Sequence, residues 1–188
     1  MKNQLDELVR TRDAVQIRTK HPDGTMFSGI LLQNERLFIT VQQIASFEFD
    51  GIVVIPKKWV KSVRNGKYER CLNAILREVV YVKGLSVGEP FKGLNSIREI
   101  VTRLRKENIW PAIEVLYKQE ASLYVGPITD ISTRTFRVNC YDATGAWERE
   151  YELDYKDIFK IEIDTKYVRH FNSFMKLQLR RGTNAPDL

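Results

Sequence analysis

The spacing of hydrophobic positions changes several times along the chain, and each change marks an element. In NQLDELVRTRD, Leu5, Leu8 and Val9 fall at helical spacing, and the helix ends near Arg12. DAVQIRTK then alternates, with Val15 and Ile17 on one face, which predicts a strand. His21 to Thr25 reads HPDGT, a turn in which proline presets φ and glycine supplies φ > 0. MFSGILLQ, RLFITVQQ and FEFDGIVVIP predict three more strands, PKKW a single helical turn, and Val60 with Val63 a short fifth strand. KYERCLNAILRE reads as a closing helix with Tyr68, Leu72, Ile75 and Leu76 on one stripe.

Gly84, Gly88, Pro90 and Gly93 then punctuate the chain and predict a linker over 83–94. It lacks the Gly-Lys-Ser/Thr ending and the helix start of a phosphate loop. Beyond it the plan repeats. SIREIVTRLRKEN is a helix with Ile97, Ile100, Val101 and Leu104 on one face. PAIEVLYK matches DAVQIRTK at an offset of 98, pairing Ala14 with Ala112 and Val15 with Ile113. LYVGPI matches MFSGIL at 97, pairing Phe27 with Tyr124 and Gly29 with Gly126, and Phe136 answers Phe38 at 98. YDATGAW is a hairpin turn, EREYELD a strand, YKD a short turn and IFKIEID a strand. KYVRHFNSFMK repeats KYERCLNAILR at 99, with Tyr167, Phe171, Phe174 and Met175 restating the stripe and Arg70 and Asn73 recurring as Arg169 and Asn172.

The expected organisation is therefore one module over 1–82, the linker, a second module over 95–181 and a disordered tail over 182–188. Five short bent antiparallel strands curl into a small barrel because closure removes exposed sheet edges. The fold class expected is mainly β with flanking helices (α+β): two tandem small five-stranded barrels, each with an N-terminal and a closing helix.

This pattern resembles the Sm-like small-barrel fold. The residues that carry the resemblance are Val15, Ile17, Phe27, Gly29, Leu31, Phe38 and Thr40 in the first copy. In the second they are Val115, Leu116, Leu123, Gly126, Ile128, Ile131, Phe136 and Val138. An SH3-like barrel, a protein-recognition module, shares the same strand logic and stays open as an alternative. The segment Asp164 to Tyr167 is also similar to the lead into the last helix of bacterial single-barrel proteins of unassigned function. The Sm RNA-binding signature is not present: LLQNERLF and ITDISTRTF stand at its first motif, PKKW and DYKD at its second. No family site residue is carried over, and a ring assembly is not implied.

Composition sets the setting. The 188 residues are 43% hydrophobic and 29% charged, as in a globular protein with a core. The N-terminus lacks an apolar signal region, and Cys71 and Cys140 show neither metal spacing nor disulfide density, so a cytoplasmic location is expected. The net charge of +6 is uneven. Residues 57–106 hold 13 basic and 4 acidic side chains, while residues 107–164 hold 6 basic and 12 acidic ones. Such asymmetry speaks to partners rather than to fold.

Signs of catalysis are scarce. His21 is read as a surface residue of its turn and His170 as a partly exposed helical one, and Cys71 as a small buried thiol. Glu148, Glu150, Glu152 and Asp154 share one strand face, an arrangement that needs compensating cations; it is read as a solvated face rather than a metal or acid–base site. The chain is accordingly read as non-catalytic, with no cofactor or metal. The basic stretch Lys57, Lys58, Lys61, Arg64, Lys67 and Arg70 interleaves with Trp59 and Tyr68, the mixture that attracts phosphates and stacks bases. Trp59 has a second reading as a buried barrel plug. Arg98, Arg103, Arg105 and Lys106 add a basic helix. The function expected is a binding module associated with nucleic acid, RNA foremost. The alternative is a protein-interaction adaptor, or an inhibitor of a nucleic-acid enzyme.

Overall fold

The computed structural model describes residues 2–80 and 90–181. Most of the expected linker and the whole expected tail lie outside the described residues. The chain divides into two compact units, Met1–Ser96 and Ile97–Leu188.

The first unit contains helix α1 (Lys2–Thr11), strands β1 (Ala14–Thr19), β2 (Met26–Asn34), β3 (Phe38–Ala45), β4 (Glu48–Pro56) and β5 (Val60–Arg64), and helix α2 (Lys67–Ile75). Its strands pair antiparallel in the order β5-β1-β2-β3-β4. The second unit contains α3 (Ile97–Lys106), β6 (Ala112–Tyr117), β7 (Glu120–Val125), β8 (Ile128–Ile131), β9 (Thr135–Tyr141), β10 (Trp147–Asp154), β11 (Ile158–Ile163) and α4 (Lys166–Arg181). Here LYVGPI is not one strand. It breaks at Gly126-Pro127 into β7 and β8, giving the orders β11-β6-β7 and β10-β9-β8. The architecture is mainly β with helices. Strand pairing among the described residues closes neither unit into a ring.

Both units follow one pairing plan. Ile17 lies between Phe27 and Val63, and Ile113 lies between Tyr124 and Ile161. The first, second and fifth strands therefore correspond at offsets of 96, 97 and 98. A bulge between Leu31 and Gln33 recurs between Ile128 and Asp130, 97 positions on. The left-handed residue that ends α1, Arg12 (φ 57°), recurs as Asn108 (φ 52°) after α3, 96 positions on. These registers correct two sequence matches. Ala14 corresponds to Trp110 rather than Ala112, and Phe136, which faces Leu153, corresponds to Ile39, which faces Ile55, rather than to Phe38. Gly29 and Gly126 do correspond. A Cβ on Gly29 would sit 2.3 Å from the Gln42 carbonyl oxygen, and one on Gly126 would sit 2.0 Å from that of Asn139. The third strand crosses too closely for any side chain there.

Each closing helix packs on the outer sheet face over the start of the first strand. Leu72 and Leu76 cover Ala14, Ile30, Leu32 and Ile44; Val168 and Met175 cover Trp110, Ala112, Val125 and Tyr141. The expected stripe holds at Leu72, Leu76 and Met175, while Phe174 is 37% exposed and the first position fails. Tyr68 is 64% exposed and Tyr167 47%, and the buried positions are Glu69 and Val168. Glu69 faces inward because its carboxylate accepts a bond from the Gly66 amide (2.6 Å) at the bare helix start and is gripped by Arg64 (2.8 Å). In the second unit Thr165 Oγ1 accepts from the Val168 amide (3.3 Å), so the buried position needs no carboxylate.

The repeated asparagine has a structural role. β5 reaches β1 only as far as Gln16, so the Ala14 backbone has no strand partner on that side. Asn73 Oδ1 accepts from the Ala14 amide (2.6 Å), and Asn65 Nδ2 donates to the Ala14 carbonyl (2.8 Å). In the second unit Asn172 Nδ2 donates to the carbonyl of the corresponding Trp110 (2.7 Å) and its Oδ1 accepts from the Tyr141 hydroxyl (2.7 Å).

Several side chains depart from their expected settings. Leu123 is 51% exposed, as is its counterpart Met26 (50%), because it faces Glu114 on the outer side of the β6–β7 pair; Val115 and Ile131 are half-buried. Cys71 is exposed, on the outer side of α2. The His21 side chain is buried, with Nδ1 2.5 Å from Asp23 Oδ1, because the Pro-Asp-Gly turn folds back over it.

Candidate nucleic-acid interface

The interface builds outward from β5, the edge strand of the first unit. After β4, Pro56 leads into one tight turn, Lys57–Trp59, and the chain re-enters the sheet at Val60. The Lys20 amide donates to the Trp59 carbonyl (2.8 Å), fixing this turn to the end of β1. Trp59 is half-buried rather than a barrel plug, and Lys58 Nζ lies 4.9 Å from its ring centroid. That contact is worth about 0.5–1 kcal/mol at an exposed site and leaves an aromatic face near a cation. Lys61 sits on a bulge: β1 and β5 pair Arg18 with Ser62 and Thr19 with Val60, skipping Lys61. A bulge re-aims the side chain it carries.

The result is a groove of about 670 Å³ lined by Arg18, Lys20, His21, Met26 and Lys61, with Pro22 and Gly24 of the turn. Asp23, in the turn between the lining residues Pro22 and Gly24, keeps its negative charge but directs its carboxylate to Thr25 and His21. The bond from the Thr25 hydroxyl foremost, against a small desolvation effect, holds its carboxyl below the usual range. The same oxygen accepts from the Thr25 amide (2.8 Å), so the turn is stiff. Among the described residues, no carboxylate lies within ion-pair distance of Arg18, Lys20 or Lys61.

The structure thus gathers Lys57, Lys58, Trp59 and Lys61 at one edge and adds Arg18 and Lys20. Those two went unread in the sequence because they precede Lys61 by some forty residues; only the pairing of β1 with β5, which the structure supplies, brings them together. Arg64 is committed to Glu69, and Lys67 and Arg70 are exposed on the first turn of α2. Burial raises the Glu69 carboxyl, but the Arg64 and Gly66 hydrogen bonds outweigh it and leave the group below the usual glutamate range. The remaining predicted residues belong to the second unit. There Arg103 pairs with Glu107 (3.0 Å), and Arg98 reaches Tyr155; Arg105 and Lys106 are exposed at the end of α3.

The acidic row of β10 is compensated inside its own unit, not by the first copy. Arg137 on neighbouring β9 lies 3.5 Å from both Glu150 and Glu152, and Lys156 lies 2.9 Å from Asp154. No cluster of potential metal ligands occurs among the described residues, and no helix among them is long and apolar enough to cross a membrane. Comparison with protein-family models, curated proteins and solved structures finds no match to this chain.

Proposed function

We propose that the chain is a binding module that takes nucleic acid, RNA foremost, on the β1–β5 edge of its first unit. The observation that carries this reading is the groove of Arg18, Lys20 and Lys61, none of them within ion-pair distance of a carboxylate among the described residues, with Trp59 tied to its Lys20 through the backbone. Cations of this kind attract the phosphate backbone whatever its sequence, and a partly exposed indole stacks a base for about 1–3 kcal/mol. The contrast with β10, where Glu150, Glu152 and Asp154 each meet a cation, supports a groove left open for a ligand rather than an ordinary charged face. Each unit is read as an open small barrel of the Sm-like or SH3-like kind. The shared order fifth, first, second, third, fourth supports that reading, with the break at Gly126 as a local departure.

Three phosphate contacts on a single strand give a salt slope near −2, since each contributes about 0.7. Fluorescence anisotropy with labelled single-stranded RNA and DNA over 50–200 mM salt tests the proposal: affinity falls roughly fifteen-fold across that range. Absence of binding at 50 mM, or a flat salt dependence, ends it. Exposed apolar positions on α4, Tyr167, Phe174 and Leu177, support the second reading, a protein partner. That reading gains if charge reversal at Lys57, Lys58 and Lys61 abolishes capture of a protein while nucleic-acid affinity stays unchanged.

A further inference from the structure

The pairing registers set the two units side by side residue for residue. Arg18 faces Ser62 across the β1–β5 pair, and Glu114 faces Lys160 across β6–β11. Gln16 faces Arg64, and Ala112 faces Glu162. So Arg18, Ser62 and Arg64 in the first unit stand where Glu114, Lys160 and Glu162 stand in the second, at offsets of 96, 98 and 98. In the second unit the triad is complete: the Lys160 ammonium lies between the two carboxylates, 3.2 Å from Glu114 and in contact with Glu162. Its two side chains of like charge are held by one opposite charge seated between them.

The first unit carries the same arrangement with the signs reversed and the central charge missing. Two arginines flank a serine, whose hydroxyl can donate a hydrogen bond but carries no charge; Glu69 already balances Arg64 from the helix side, so the uncompensated cation is Arg18. Arg18 has no carboxylate partner among the described residues, and Arg64 holds Glu69 through Nε and Nη2 of its guanidinium. Diagonal neighbours on adjacent strands lie about 7–8 Å apart at the backbone, within reach of two long side chains converging on one group. Guanidinium groups match a phosphate oxyanion in planar, two-pronged fashion.

We infer that Arg18, Ser62 and Arg64 form a seat for one phosphodiester phosphate, and that the second unit has no such seat because the carboxylates of Glu114 and Glu162 stand at the arginine positions, with Lys160 between them. The seat adjoins the groove through Arg18, and it fixes the position of a strand that the groove alone would hold loosely. The inference rests on the nucleic-acid reading above and adds two things to it: a defined phosphate contact and a single binding site per chain.

The test uses the full chain and a labelled single-stranded RNA 12-mer. Ser62→Glu places a carboxylate in the seat, as Lys160 places an ammonium in its counterpart, and should weaken binding about tenfold or more while keeping the fold. Ser62→Gln should stay within twofold or threefold of the parent. Arg18→Gln should lower the salt slope by about 0.7. The triple change Glu114→Arg, Lys160→Ser, Glu162→Arg should raise the stoichiometry from one strand per chain to two. If the parent binds RNA but Ser62→Glu and Arg18→Gln bind it equally with an unchanged slope, the seat is wrong and the broader interface stands. If the parent binds no RNA, the interface itself falls. Inorganic phosphate, titrated alone by calorimetry, should bind far more weakly than the RNA; binding as tight would assign the seat to a free anion and overturn the inference.

Discussion

Replacing Asn73 by alanine tests how the closing helix is tied to the sheet. Its Oδ1 is the acceptor for the Ala14 amide at 2.6 Å, and Ala14 is fully buried. Removing that acceptor leaves a desolvated N–H without a partner, at a cost of about 1–3 kcal/mol. The lost bond from Nδ2 to Asp13 (3.1 Å) adds little, because Asp13 keeps its ion pair with Arg77. An expected loss of about 2 kcal/mol, with urea slopes of about 1–3 kcal/mol per molar, moves the unfolding midpoint down by about 1 M. Asn65→Ala is the internal control. It removes a donor to the Ala14 carbonyl, which tolerates loss of one bond better than an amide does. Urea unfolding followed by far-ultraviolet circular dichroism should rank the parent above Asn65→Ala and Asn65→Ala above Asn73→Ala. A loss below about 0.5 kcal/mol for Asn73→Ala, or the reverse ranking, refutes the reasoning.

Cys71 is exposed, whereas burial foremost, with the charge of Glu148, pushes the Cys140 thiol up to about 12. A maleimide should label one thiol per native chain and two in denaturant; two in the native state contradicts the packing of β9. Ser46 and Phe47 turn the β3–β4 hairpin with φ of 50° and 64°, conformations that favour Asn-Gly. Ser46→Asn with Phe47→Gly should therefore raise stability by about 1–2 kcal/mol, and a loss in thermal unfolding would count against the turn. Glu69 is held below its ordinary value of 4.5, so its contribution is present above that pH and lost as pH falls through the folded value. Glu69→Gln should cost stability at pH 7, and the gap to the parent should narrow as pH falls below 4.5 and through the lowered folded value; a gap independent of pH removes the Arg64–Glu69 account.

Element order was legible because each strand and helix carries its own period, and the turns carry their own chemistry, as HPDGT and YDATGAW do. The register of the repeat was not. A two-residue slip preserves the alternation of side chains, so pairing Ala14 with Ala112 satisfies every hydrophobic position that the true offset satisfies. Phe38 and Ile39 are both fully buried, so β3 gave no parity signal to place Phe136. The first position of the closing-helix stripe was misread because Glu69, a residue type expected outside, is buried by local capping, and tyrosine, expected inside, is not. At the interface, the run from Lys57 to Lys61 was visible as composition. Arg18 and Lys20 became part of it only through pairing of β1 with β5, which sequence does not display. The acidic row was read as needing cations, but Arg137 supplied them from the next strand.

The central claim is that one edge of the first unit holds the ligand, and the most direct test is Arg18→Gln, Lys20→Gln, Lys61→Gln measured beside the parent. Both proteins are titrated with single-stranded RNA at several salt concentrations between 50 and 200 mM. The account predicts a slope near −2 that moves towards zero by about 2 in the variant, with unchanged circular dichroism. A variant that keeps the parent's affinity and slope contradicts it.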